Sequence, residues 1–153
     1  MSSSKRSRSL SRLSKRFGAL TTVLLMSDSV REYLRKRGCP DFVVSGGLAR
    51  LVSAWERVAH EVASGEEQDE DDYLNDADGR QIIAETLPLA SANERDMYQQ
   101  RVVFADSLIR AHLVATKDCL WGRENAAKYG YARERNWWYY QRPRVVSPAW
   151  RTL

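Results

Sequence analysis

Three observations predict an all-α fold, a single-domain helical bundle with a long central helix. Apolar residues recur at three- and four-residue steps through stretches of roughly 18, 17 and 27 residues, the signature of amphipathic helices. The breaks between these stretches are short and made of Gly, Pro, Ser and Asn. No stretch alternates apolar and polar residues as a half-buried strand does. A chain of 153 residues is long enough for one hydrophobic core without disulfide or metal staples.

In chain order, Leu10, Leu13, Phe17, Leu20 and Leu24 share one helical side. Residues 17–26 are therefore expected to dock on the core, and the Ser/Arg-rich residues 1–16 to remain disordered. The other reading of this start is a basic amphipathic helix for a membrane surface or a nucleic acid. A short helix follows from Ser29 to Lys36, ended by Gly38-Cys39-Pro40. Ser45 is the expected N-cap of the next helix, whose stripe of Leu48, Leu51, Val52, Trp55, Val58, Ala59 and Val62 runs to Gly65. The helix from Asp71 to Leu87 is expected to bury Tyr73, Leu74, Ala77, Ile83, Ala84 and Leu87. Arg80 falls inside that arc, so burial against Asp76 or Glu56 is expected. The long helix is expected from Glu94 to Leu120, with Met97, Arg101, Val102, Ala105, Leu108, Ile109, His112, Ala115 and Cys119 inward and Asp106, Arg110 and Lys117 outward. A brief helix from Arg123 to Tyr129 precedes Gly130. Pro143 and Pro148 then suggest an extended tail, so the chain divides into residues 1–16, 17–130 and 131–153.

Charge is distributed in three blocks. Residues 1–16 carry six basic side chains and no acid, residues 54–96 thirteen acids against three arginines, and residues 123–151 seven basic groups against two acids. The net charge of +4 hides this layout, and segment charge decides which partners are attracted at long range. Two cysteines, Cys39 and Cys119, have no repeated spacing, so the expectation is a pair of reduced thiols. Residues 17–26 imitate a short signal core, but Thr21 and Thr22 dilute it and no apolar run reaches the about 20 residues that a membrane span needs. The expected location is the cytoplasm.

Few constellations suggest chemistry. Asp76, Asp78, Gly79 and Glu85 match part of a calcium loop, but its first ligand position holds Leu74. Asp72, Asp76 and Arg80 step by four, as an ion-pair ladder on a helix would. His112 and Cys119 are too far apart along a helix to form a nucleophile pair. Gly46-Gly47 lacks the strand and the lysine of a phosphate loop. No cofactor is expected.

The carboxy-terminal segment carries the strongest binding signal. Arg133, Arg135, Arg142 and Arg144 bracket Trp137, Trp138, Tyr139 and Tyr140. Aromatic faces beside arginines suit single-stranded nucleic acid. The same residues also suit a clamp that closes the open end of the bundle. Asp71, Asp72 and Asp76 form an acidic ledge suited to a basic partner.

Arg37-Gly38-Cys39-Pro40, Trp55-Glu56-Arg57, Asp71-Asp72-Tyr73-Leu74-Asn75-Asp76, Cys119-Leu120-Trp121-Gly122 and Asn136-Trp137-Trp138-Tyr139-Tyr140 together resemble a set found in small bacterial helical proteins. The resemblance covers roughly residues 29–144. It implies a bacterial, cytosolic protein and supplies no activity and no catalytic residue. Three functions are therefore expected in order: a non-enzymatic interaction protein with a protein partner, such as a regulator, an accessory subunit or an antitoxin- or immunity-like binder; a nucleic-acid- or ribosome-associated protein; and a metal-assisted enzyme using Asp72, Asp76 or His112.

Overall fold

A computed structural model describes residues 28–151. The expectations for residues 1–27 lie outside the described residues. The described chain is mostly helical, with one two-stranded antiparallel ribbon. No helix among the described residues is long and apolar enough to cross a membrane.

Helix α1, residues 28–36, buries Val30 and Leu34. Gly38, at φ +81°, turns the chain into Pro40, and α2 runs from Asp41 to Ala63. Proline ahead of the first helical residue costs nothing, since an N–H there has no intrahelical acceptor. Ser45 is therefore not the start of the helix. Gly47, with φ +57° and ψ −150°, breaks the helical path two residues later and bends α2 between a short first piece and the long amphipathic one. Only glycine adopts that conformation without strain. The predicted stripe from Leu48 to Val62 is buried throughout.

Helix α3, Glu70–Thr86, opens with Glu70, Asp71 and Asp72 at its positive end, where carboxylates interact favourably with the helix dipole. A 3-10 turn, Leu87–Leu89, leads to α4, Ala92–Arg110. The Ser91 hydroxyl accepts from the Glu94 N–H at 3.1 Å and caps that helix. Helix α2 packs on both α3 and α4.

The long helix ends ten residues earlier than its periodicity predicts. Leu113–Ala115 form strand β1, which pairs antiparallel with β2, Gln141–Pro143, in the register Leu113↔Pro143, Val114↔Arg142 and Ala115↔Gln141. Backbone bonds from Thr116 to Tyr140 and from Leu120 to Tyr139 extend the attachment. His112 and Cys119 therefore do not share a helix. Between the strands lie α5, Arg123–Tyr129, closed by left-handed Gly130, and a 3-10 turn, Trp137–Tyr139.

The segment after residue 130 is folded in. One hydrophobic cluster runs from Val30 to Trp150 and includes Trp137, Trp138 and Tyr139. Beyond β2, Gln68 and Val146 form a parallel bridge, and Trp150 meets Tyr73 at 6.0 Å between ring centroids.

Arg80 is buried as expected, with a different partner. Its Nε and Nη2 bond the two oxygens of Asp106 at 2.9 and 2.8 Å, and Trp55 Nε1 donates to the same carboxylate at 2.8 Å. The guanidinium lies 4.3 Å from the Trp138 ring centre. Asp106 thus faces inward: it stands four residues after Val102 and three before Ile109, within the apolar stripe of α4. Glu56 pairs with Arg101, and Met97 lies exposed.

Candidate functional site

An open polar cleft of about 720 Å³ lies against α3. Its floor is one face of α3, where Asp78, Gln81 and Glu85 follow one another at three- and four-residue spacing. Arg37, just past α1, forms one wall. The others come from the chain around α5, with Trp121, Asn125, Tyr129 and Tyr131, and from Arg135 and Asn136 in the following loop.

The floor is held rigidly by its own hydrogen bonds. Glu85 accepts from the Tyr33 hydroxyl at 2.8 Å, from Arg37 Nε at 2.7 Å and from Gln81 Nε2 at 3.0 Å. Burial alone would push its carboxyl up, but the donors Arg37, Gln81 and Tyr33 outweigh this and hold it below the usual carboxylate range. Gln81 in turn accepts from Asn136 Nδ2 at 2.9 Å, and Asn136 Oδ1 accepts from the Ala132 N–H. Asp78 Oδ1 takes the Tyr139 hydroxyl at 2.6 Å and Trp121 Nε1 at 3.0 Å. Burial first, then the Asp78 carboxylate, raises the Tyr139 phenol, so it remains a neutral donor. Arg135 Nη2 donates to the Gly130 carbonyl at 2.6 Å, which fixes its stem beside the left-handed turn.

Of the aromatic, basic and acidic side chains expected to bind a partner, Arg135 alone lines this cleft. Trp137, Trp138 and Tyr139 are 9%, 3% and 0% exposed, so their ring faces serve the interior. Tyr140 is half-buried and donates to the Tyr131 carbonyl. Arg133 lies 4.8 Å over the Tyr140 ring and binds the carbonyls of Thr116 and Lys117. Arg142 donates to the Pro143 carbonyl, and Arg144 is exposed. In this placement the aromatic run clamps the core, while one arginine beside it faces the cleft.

The acidic residues are elsewhere. Asp71 is exposed and meets Arg151 Nη2 at 3.2 Å, and the Arg151 backbone N–H donates to Glu70 at 2.7 Å. Asp72 is exposed. Asp76 is half-buried, with Arg57 at 4.0 Å as its nearest cation. Burial, followed by the charges of Glu61 and Asp72, raises its carboxyl to about 6 against the opposing pull of Arg57. The expected ladder with Arg80 does not form, because Arg80 turns to Asp106. Among the described residues, no group of His, Cys, Asp and Glu side chains is placed to hold a metal ion.

The sequence assigned no binding role to Trp121, Gln81 and Asn136, although Trp121 and Asn136 stand in the motifs that carry the resemblance. The signal for Gln81 was a polar residue one position after Arg80 on the buried arc of α3. Trp121 and Asn136 gave none, since they reach α3 only through the fold. Comparisons with protein-family models, curated proteins and solved structures found no match, so the motif resemblance acquires no counterpart.

Proposed function

We propose that the chain is a helical bundle acting as a non-enzymatic interaction protein in the cytoplasm, and that the cleft against α3 is its recognition surface. The observation that carries this reading is preorganisation. Gln81 joins Glu85 and Asn136 in one hydrogen-bonded chain, and Asp78 is held beside it by Trp121 and Tyr139, before any partner arrives, which lowers the ordering cost of binding. A Glu85 carboxyl held below the usual range and fixed by three donors is poorly matched to proton transfer near neutrality, so the chemistry suits recognition better than acid–base work. The free thiols Cys39 and Cys119 accord with a reducing compartment. The acidic turn at Asp71 and Asp72 is a second face for a basic protein partner.

The test is retention of a specific protein from an extract of the source organism. We expect the wild type to retain it, and Trp121→Ala and Arg135→Glu to lose it while keeping wild-type circular dichroism. Equal retention by all three would remove the cleft from the function.

A nucleic-acid-associated role is the second reading, favoured by Arg37 and Arg135 beside the exposed Trp121. Phosphate contacts release counterions, so binding of this kind should weaken steeply with salt in a gel-shift titration.

A further inference from the structure

Hydrogen-bonding capacity in the cleft is unbalanced. Glu85 has both oxygens engaged, and Asp78 Oδ1 already takes two donors, which leaves Asp78 Oδ2 as the carboxylate oxygen without a donor among the described residues. Arg37 uses its Nε and Arg135 one Nη2. A guanidinium is a fork of N–H donors with no acceptor, so each keeps most of its donors for another molecule. The excess of donors favours an acceptor-rich group at the two guanidinium forks, whose charges Asp78 and Glu85 offset over the cleft as a whole.

Trp121 adds a second requirement. Its ring is 37% exposed, its indole N–H is tied to Asp78, and no aromatic or cationic side chain among the described residues lies over it. The result is an oriented aromatic face beside guanidinium donors. Such a face suits the stacking of a flat ring, as bases stack on aromatic side chains. Planar guanidinium forks suit phosphate oxygens. The volume of about 720 Å³ falls within the range of small-molecule sites.

We infer that the cleft binds a nucleoside 5′-phosphate, with the phosphate on Arg37 and Arg135 and the base on Trp121. Asp78 Oδ2 accepts an amino or hydroxyl donor of the same ligand. The chemistry is shared by a free mononucleotide and by the 5′ end of a single strand. The inference rests on the cleft being a recognition surface and names what it recognises.

The test is calorimetric titration of the full chain with AMP, GMP, CMP, UMP, inorganic phosphate, and a tetranucleotide with and without a 5′-phosphate. Mononucleotides should bind more tightly than inorganic phosphate. Trp121→Leu should weaken mononucleotide binding roughly 5- to 150-fold and leave phosphate unchanged, as expected for loss of one stacked base. Arg135→Gln should weaken both about tenfold or more, the effect of losing a charged hydrogen bond. Trp121→Phe, which keeps a ring, should retain most of the affinity and serves if the leucine variant folds poorly. A phosphorylated strand that binds more tightly than UMP assigns the strand end, and equal or weaker binding assigns the free nucleotide; both support the site. The inference is overturned by no heat at millimolar ligand, by inorganic phosphate binding as well as the nucleotides, by the 5′-hydroxyl strand matching the phosphorylated one, or by variants that change nothing. A protein partner retained through the cleft together with no nucleotide binding would overturn this inference and leave the broader reading standing.

Discussion

Arg80 and Asp106 form the most consequential pair of side chains. They are 10% and 17% exposed, joined by two hydrogen bonds, and roofed by Trp138. Removing one member of such a pair leaves the other charge stranded in a poor solvent. Arg80→Met or Asp106→Leu alone should therefore cost about 3–5 kcal/mol in chemical denaturation, and the double variant should recover much of that loss. Additive losses would show that the two charges do not depend on each other. Asp76 makes the opposite contribution. Its folded-state carboxyl titrates at about 6, above the ordinary 3.8. The folded chain therefore binds this proton more tightly than the unfolded chain, so the group favours folding at low pH and loses that effect as pH rises through about 6. Asp76→Asn should raise the melting temperature near neutral pH and change it little at about pH 4. A variant that melts lower than wild type at both values would contradict this assignment.

At the scale of elements, the ribbon decides how the chain ends. Strand β2, the 3-10 turn and Trp150 close on β1, α3 and the α2–α3 loop. Truncation after Gly130 should therefore lower the melting point sharply and expose apolar surface to a dye, and an unchanged cooperative melt would show the segment after residue 130 to be dispensable. Periodicity made α2 and α3 legible because each buries a stripe written in its own residues, whereas α5 buries none. The end of α4 was not legible. His112, Ala115 and Cys119 continue the helical spacing past Arg110, and the β2 residues that draw the backbone out of the helix lie nearly thirty positions further on. The same distance problem hid half of the cleft. Asp78, Gln81 and Glu85 can be read as one face of α3, but Arg37, Trp121 and Asn136 reach it from three separate places. Arg80 was legible as a buried charge, and its partner on α4 could have been found by noticing that Asp106 sits between Val102 and Ile109 on the apolar stripe.

At the scale of the whole molecule, two tryptophans have opposite surroundings, and the proposed recognition surface uses only one of them. Trp138, 3% exposed, packs against Arg80, Trp137 and Tyr139. Trp121, 37% exposed, borders the cleft, and its indole N–H donates to Asp78. The most direct measurement is thermal unfolding of Trp138→Ala and Trp121→Ala side by side. Emptying the Trp138 site should cost about 3–5 kcal/mol, which lowers the melting temperature by roughly 10 °C or more for a chain of this size. Trp121→Ala should melt clearly above Trp138→Ala, because the bond it loses, to a carboxylate at a partly exposed site, is worth about 1.5–3 kcal/mol. A Trp121→Ala variant that melts as low as Trp138→Ala would contradict the account, since Trp121 would then be part of the core and not a face held out for a ligand.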